Sequence, residues 1–294
     1  LRTLLTGASG FLGNYIRKSF GNDLITLGRG SENQIQNDLA NEVPKLSQFD
    51  MVIHSAGLAH RIPKNPEEER KFYQVNLFGT QNLLKGLDQC EYPPKSIVFI
   101  STVAVYGLVE GEMISELMTP KPETPYGKSK HEAEILLQKW CRTRKVNLVI
   151  LRLPLIAGGV NPPGNLGAMI QAIKRGYYFR VGKGLSKKSM VLASDVANLI
   201  PTISDFNGVY NLTDGLHPSL KELDSYISEK LGKKVKSLPL GLLSFICKIG
   251  DRWSFFPINS YRLSKLNTSL TFNDSKARKT LGWSPNPVIG NLDL

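Results

Sequence analysis

Tyr126 and Lys130 stand four positions apart, so on a helix the phenol and the ammonium share one face a turn apart. A phenol with a pKa near ~10 is a poor base at neutral pH, and bringing it to about 7 takes roughly 4 kcal/mol. A neighbouring cation can supply that stabilisation. The same spacing recurs at Tyr226/Lys230 and Tyr261/Lys265, so the pair alone decides little. Only Tyr126 follows an apolar stretch ending in a hydroxyl pair, Ser101-Thr102. Thr102 is then placed to hydrogen-bond a substrate oxygen while Tyr126 gives or takes its proton, with Lys130 holding the phenolate.

A second constellation lies at the start of the chain. Gly7, Gly10 and Gly13 form Gly-x-x-Gly-x-x-Gly between a short apolar strand and a helix. A turn without side chains lets backbone N–H groups and a helix N-terminus approach a pyrophosphate, which points to a dinucleotide. A nicotinamide would carry a hydride, matching the proton chemistry of Tyr126. The next strand ends in Leu27-Gly28-Arg29. Arg29 stands where an acidic residue would hold the ribose hydroxyls of NAD, and it suits a 2′-phosphate, so NADP is favoured over NAD. Asp38 and Leu39 would sit beside the adenine, and Ser55, Ala56 and Gly57 would line the cofactor.

These groups need a sheet to position them. Strands are expected at Leu1–Thr6, Leu24–Leu27, Met51–His54, Ser96–Ser101 and Val146–Leu151, with helices at Phe11–Phe20 and Tyr126–Arg144. Strands alternating with amphipathic helices are the pattern of parallel βαβ units, and nearly unbroken apolar strands imply a sheet covered on both faces. The fold class is therefore α/β: a Rossmann-type doubly wound parallel sheet with a smaller C-terminal α/β substrate domain. Gly158, Gly159, Pro162, Pro163 and Gly164 mark the transition. Residues 1–155 are expected to form the NAD(P)-binding domain and 156–294 mainly the substrate domain, with the segment near 188–213 returning to the first. Helix Leu166–Arg175, a strand near Met190, an N-cap at Ser194 and a capping box at Ser219/Glu222 are expected beyond.

With 41% hydrophobic and 21% charged residues over 294 positions, the chain is ordinary for a globular protein. Cys90, Cys141 and Cys247 lack the numbers for a disulfide framework, which fits a reducing, cytoplasmic setting. His54, His60, His131 and His217 have no ligand spacing, and no metal is expected. No apolar run reaches the length of a membrane span; Leu238–Ile249 reads as a packed helix. The sequence opens without Met directly into an apolar run, as a trimmed copy would. The formal charge of +12 is dispersed and without aromatic interleaving, so it argues for steering of phosphorylated ligands and against nucleic acid.

The sequence resembles the extended short-chain dehydrogenase/reductases, the family of nucleotide-sugar epimerases, dehydratases and reductases. The resemblance rests on Thr-Gly-Ala-Ser-Gly-Phe-Leu-Gly at 6–13, Asn76-x-x-Gly79-Thr80, Ser101-Thr102 before Val105-Tyr106-Gly107, and Tyr126-Gly-Lys-Ser-Lys130. Arg152-Leu-Pro154, Ser194-Asp195-Val196-Ala197 and Leu281-Gly282-Trp283 extend it over nearly the whole chain. It implies that Thr102, Tyr126 and Lys130 are catalytic. It also places Ser9, Phe11, Leu12, Asn76, Ser101 and Pro154 at the cofactor with the groups above. The family's 4,6-dehydratases follow this Thr with an Asp-Glu pair, whereas Val103 and Ala104 stand here, so dehydration is not expected. Asn211–Gly215, Arg262 and Asp274-Ser-Lys276 resemble bacterial enzymes of surface-polysaccharide sugar synthesis acting at C4. The substrate implied is a nucleoside-diphosphate sugar, contacted by Thr102, Val103, Asn165, Arg180, Lys188 and Arg262. The family usually has Arg where Lys188 stands, which removes a bidentate phosphate contact. Arg29 tilts the reading toward an NADP-dependent 4-keto-sugar reductase. C4 epimerisation with a retained cofactor stands beside it, as does a non-catalytic NADP-binding regulator, which Tyr126 and Lys130 argue against. The family also implies a homodimer, paired through the Tyr126–Arg144 helix and the helix around Glu67–Leu87.

Overall fold

The computed structural model describes residues 1–59, 61–159, 162–239 and 267–294. Strands β1 (Thr3–Thr6), β2 (Leu24–Gly28), β3 (Ile35–Gln36), β4 (Met51–His54), β5 (Ser96–Thr102), β7 (Asn147–Leu153) and β11 (Gly208–Asn211) form the main sheet. Its order is β11-β7-β5-β4-β1-β2-β3, and every neighbouring pair is parallel. The chain winds outward in both directions from β1 and β4, so the crevice between them opens at their carboxyl ends.

The strands are apolar because both faces are covered. Leu4, Val52, Ile97, Phe99 and Ile150 pack on one side against Leu83, Leu84 and Leu87 of α3 (Gly79–Leu87) and Ala133, Leu137 and Trp140 of α4 (Pro125–Arg144). Their alternates Leu5, Ile53, Val98 and Val149 pack on the other against Leu12 and Ile16 of α1 (Phe11–Phe20) and Val196 of α6 (Ala193–Leu199). That alternation is the two-residue period of a strand, and it fixes which way each strand end points.

Helix α2 (Pro66–Tyr73) runs into α3 through a π-helical turn at Gln74–Phe78, where Gly79 N–H bonds to the Gln74 carbonyl. The resemblance implied a single helix around Glu67–Leu87; one residue too many in a turn leaves no periodic mark. Beyond the main sheet, β8 (Leu155–Ala157) pairs with β10 (Met190–Leu192), β9 (Phe179–Val181) with β12 (Lys236–Leu238), and β6 (Gly111–Ile114) with β13 (Leu270–Phe272). A separate apolar cluster joins Leu166 and Ile170 of α5 (Gly164–Lys174), Leu223 and Ile227 of α7 (Leu220–Lys230), and Val288 of α9 (Val288–Asn291). Helix α8 (Ser275–Leu281) packs Ala277 and Leu281 under the main sheet instead. Within the segment 188–213, β10 lies in a small sheet and β11 edges the large one.

The capping box at Ser219/Glu222 is present. Ser194 is not an N-cap: β10 runs straight into α6, Leu192 takes the cap position without a side-chain bond, and Ser194 lies in the first turn. Arg262, the Tyr261/Lys265 pair, Cys247, His60 and nearly all of Leu238–Ile249 lie outside the described residues.

Candidate active site at the carboxyl edge of the sheet

The glycine turn has the shape its sequence requires. Gly7 has φ +75°, and a Cβ there would come within 2.6 Å of the Ala56 amide nitrogen. A Cβ on Gly13 would overlap the Gly7 carbonyl oxygen, and Gly10 N–H closes the turn onto that oxygen at 3.0 Å. Helix α1 has no side-chain cap at Gly10 and no acidic residue in its first turn. Its leading N–H groups and positive dipole end are left for an anion. Ser9 and Gly10 are exposed, Phe11 half-buried, and Leu12 and Gly13 buried. This cradle fits a dinucleotide pyrophosphate.

At the end of β2, Arg29 is exposed. Beside it a Cβ on Gly30 would collide with the Glu32 carboxylate, so an acidic group folds over this corner. Asp38 is turned inward on its own loop, accepting from Ala40 N–H at 3.2 Å and Asn41 Nδ2 at 2.9 Å. Leu39 is buried in the core beneath.

The three candidate catalytic residues meet across the crevice. Thr102, the last residue of β5, accepts from Ala104 N–H at 3.2 Å, which leaves its own O–H to donate. Tyr126 sits in the first turn of α4, which Thr124 caps by accepting from Gly127 N–H at 3.1 Å. Burial pushes the Tyr126 phenol up to about 12, although a side-chain hydrogen bond with Thr102 pulls the other way. Lys130 is 4% exposed, with Nζ 3.9 Å from the Phe99 ring centroid. Burial draws the ammonium down to about 7, while Glu134 pulls it back up. Desolvation is therefore the largest influence at both groups.

Glu134, 1% exposed, lies one more turn along the same face. Arg152 grips it through Nε at 3.1 Å and Nη2 at 2.7 Å. Ser101 donates to its Oε1, and His131 Nδ1 lies 3.7 Å from its Oε2. Burial alone would raise this carboxyl, but His131, Arg152 and Ser101 hold it below the ordinary range. Arg152 also lies over the Tyr106 ring at 4.9 Å, and the Tyr106 hydroxyl donates to Asn211 Oδ1 at 2.9 Å.

The floor of the crevice is polar and buried. Asn76, in the π-helical turn, accepts from Leu58 N–H at 2.7 Å. It donates to the Leu58 carbonyl at 3.1 Å and to Ser129 Oγ at 2.9 Å. It thereby ties the loop after β4 to the helix carrying Tyr126 and Lys130. Ser55 and Ala56 are half-buried and Gly57 exposed. A Cβ on Gly57 would stand 3.2 Å from Asn76 Oδ1 and 3.9 Å from Lys130 Nζ.

Several residues expected to contact ligands have partners within the protein. Ser101 directs its hydroxyl at Glu134. Arg180 forks onto the fully buried Asp224, with Ser225 Oγ at 3.0 Å. Lys188 donates to the Thr268 carbonyl at 2.8 Å. Val103 is half-buried in the short turn after Thr102, Asn165 is exposed in the first turn of α5, and half-buried Pro154 follows β7. Among the described residues, no three His, Cys, Asp or Glu side chains gather to hold a metal, and no helix is long and apolar enough to cross a membrane. The sequence reading missed Glu134, the pairing of Arg152, and the Glu32 corner. Charged residues at positions 134 and 152, on elements otherwise buried, were the available signal.

Residues 3–212 match the model of the NAD dependent epimerase/dehydratase family. An Escherichia coli O157:H7 protein, N-acetyl-alpha-D-glucosaminyl-diphospho-ditrans,octacis-undecaprenol 4-epimerase, is 29% identical over 84% of this chain and 77% of its own. The UDP-glucose 4-epimerase of Vibrio cholerae is 28% identical over 96% of this chain and 90% of its own. The solved UDP-glucose 4-epimerase of Thermus thermophilus in complex with NAD shares the fold, with a TM-score of 0.73 at 22% identity over 97% of this chain and 94% of that one. The protein belongs to the NAD-dependent epimerase/dehydratase family and is an NAD(P)-dependent enzyme of the extended short-chain dehydrogenase/reductase type.

Proposed function

We propose that the protein inverts the C4 hydroxyl of a hexose carried on a diphosphate, using a nicotinamide cofactor that it retains between turnovers. The observation that carries this reading is the placement of Thr102 at the end of β5 and of Tyr126 and Lys130 one turn apart at the start of α4, on one side of the crevice. It provides one proton donor and acceptor for one sugar oxygen. No carboxylate follows Thr102, since Val103 and Ala104 stand there, so nothing adjacent serves a second proton transfer such as water elimination needs. Arg29 pointed toward NADP and 4-keto reduction. The names of the two relatives and the Glu32 carboxylate beside Arg29, an acceptor for ribose hydroxyls, favour epimerisation with NAD.

In this reading Tyr126 takes the proton of the C4 hydroxyl and later returns one to the same oxygen. Thr102 donates its O–H to that oxygen, with Ala104 N–H fixing the threonine. Lys130 stabilises the phenolate, and Glu134 pulls the lysine back toward its charged form. When bound, the nicotinamide would accept the C4 hydride and return it to the opposite face of the resulting 4-keto sugar, so that the reaction is redox-neutral. Gly7, Gly10, Gly13 and the N-terminus of α1 hold its pyrophosphate, with Asn76 and Ser55–Gly57 beneath it. Pro154 and the backbone of Ser101 border the same crevice. The substrate diphosphate is drawn by the +12 charge and met by Lys188, Arg262 and Asn165, while Arg180 supports that region through Asp224. Two copies pair through α4 and α2–α3, where Ile135 and Phe78 are exposed, and the enzyme works in the cytoplasm.

The test is incubation with UDP-glucose, UDP-N-acetylglucosamine and a polyprenyl-diphosphate-linked N-acetylglucosamine, without added cofactor, following the sugar H4 signal by NMR. Interconversion of the gluco and galacto forms of any one supports the reading and identifies the carrier. Turnover of 4-keto sugars alone, with NADPH consumed, replaces it with the reductase.

A further inference from the structure

A buried polar chain that the proposed chemistry does not use runs beneath the cofactor crevice. Thr6, His54 and Thr80 are 0%, 1% and 0% exposed. His54 Nδ1 lies 2.7 Å from Thr6 Oγ, and His54 Nε2 lies 2.8 Å from Thr80 Oγ. The end groups set the direction of every bond. Thr80 O–H donates to the Asn76 carbonyl at 2.6 Å, so its oxygen is left to accept from His54 Nε2–H. Thr6 Oγ accepts from Ala56 N–H at 3.2 Å, so its O–H is left to donate to His54 Nδ1. One imidazole tautomer satisfies all four bonds, and with all three side chains closed off from solvent the other tautomer loses one of them.

The two ends of this chain are functional positions. Thr6 leads into Gly7 of the pyrophosphate turn, and Ala56 lies in the loop lining the crevice. At the other end stands Asn76, whose side chain joins Leu58 to Ser129 on the catalytic helix. We infer that His54, held as the neutral Nε2–H tautomer, is a positioning residue of the nucleotide site that keeps the glycine turn, the Ser55–Gly57 loop and the Asn76 turn in register. Neutrality matters as well as shape. His54 stacks on Phe99 with centroids 5.5 Å apart, and Lys130 lies over the same ring. A second buried cation there would repel the ammonium that Tyr126 needs. Burial, with Lys130 adding to it, draws His54 down to about 3, so the imidazole places no second cation against Lys130.

This inference rests on a nucleotide binding at the glycine turn and not on the reaction at C4. Imidazole 15N shifts of the wild-type ligand-free protein, assigned through contacts with Phe99, read the tautomer directly. A pyrrole-type Nε2 and pyridine-type Nδ1 that do not titrate from pH 5 to 9 are expected. The opposite tautomer, or a titration in the ordinary histidine range, overturns the inference. The second arm measures NAD affinity in His54→Phe, His54→Gln and Thr80→Val, with folding checked by near-UV circular dichroism. His54→Phe is expected to weaken NAD about tenfold or more, and His54→Gln, which keeps a donor toward Thr80, to recover part of it. Thr80→Val, which leaves the ring in place, is expected to weaken NAD as well. Unchanged NAD affinity in folded Thr80→Val or His54→Phe, with only a lower melting temperature, reduces His54 to a core residue. Failure of the wild type to bind NAD or NADP overturns the nucleotide reading itself.

Discussion

Replacing Lys130 by Met removes a buried ammonium without removing its packing, and the effect on stability should depend on pH in a defined way. Lys130 falls from 10.5 to about 7 on folding, and each unit corresponds to about 1.4 kcal/mol. Between those values the unfolded chain binds the proton that the folded, ligand-free chain lacks, so stability rises with pH there. Because the folded group is half protonated at pH 7, the integrated change amounts to about 2 kcal/mol between pH 7 and 9. His54 is drawn down to about 3 and acts below this window. Cys141 and Tyr126, both pushed up to about 12, act at its upper end, and they cancel when wild type and variant are compared. Urea denaturation at pH 7, 8 and 9 should show the wild type gaining roughly 2 kcal/mol over Lys130→Met. Equal pH slopes for the two proteins would refute the argument that burial dominates the environment of Lys130.

Four further perturbations follow from the same geometry. Tyr126→Phe removes the acid–base group on the sugar oxygen and should lower kcat by at least ~10²-fold, with NAD affinity unchanged by fluorescence titration. Glu134→Gln leaves Arg152 buried with half its partner and should cost about 3–5 kcal/mol in denaturant. The double variant Glu134→Gln, Arg152→Met should recover part of that loss, and an additive result would contradict the pairing. Gly13→Ala places a methyl on the Gly7 carbonyl and should abolish NAD binding in calorimetry even where the protein still folds. Glu32→Ala should weaken NAD several-fold and leave NADP unaffected if Glu32 holds the ribose hydroxyls.

The parts legible in the sequence were those repeated along it. β4 lies at Met51–His54 and β5 at Ser96–Thr102 because a strand covered on both faces is apolar at every position, and that run is visible without any partner. Tyr126 was separable from Tyr226 because it follows a strand ending in two hydroxyls. Single contacts between distant residues were not legible. Nothing local marks Asp224 as the partner of Arg180, 44 positions away, or Glu134 as the partner of Arg152 and Ser101. Ser194 misled because its type suits a cap, whereas cap position is set by where β10 ends. Thr6 and His54 were visible as polar residues closing two apolar strands, but only the structure joins them to Thr80 and Asn76. Arg29 read alone favours NADP; the carboxylate beside it comes from Glu32, after a turn through Gly30 that spacing does not reveal.

The central claim is tested most directly by purifying the protein without added nucleotide, denaturing it and identifying what is released by mass. Stoichiometric NAD, from a preparation that interconverts gluco and galacto sugars with no cofactor supplied, is the expected result. An empty crevice that binds NADPH in preference to NADH and consumes it on a 4-keto sugar would contradict retention and make the enzyme a reductase.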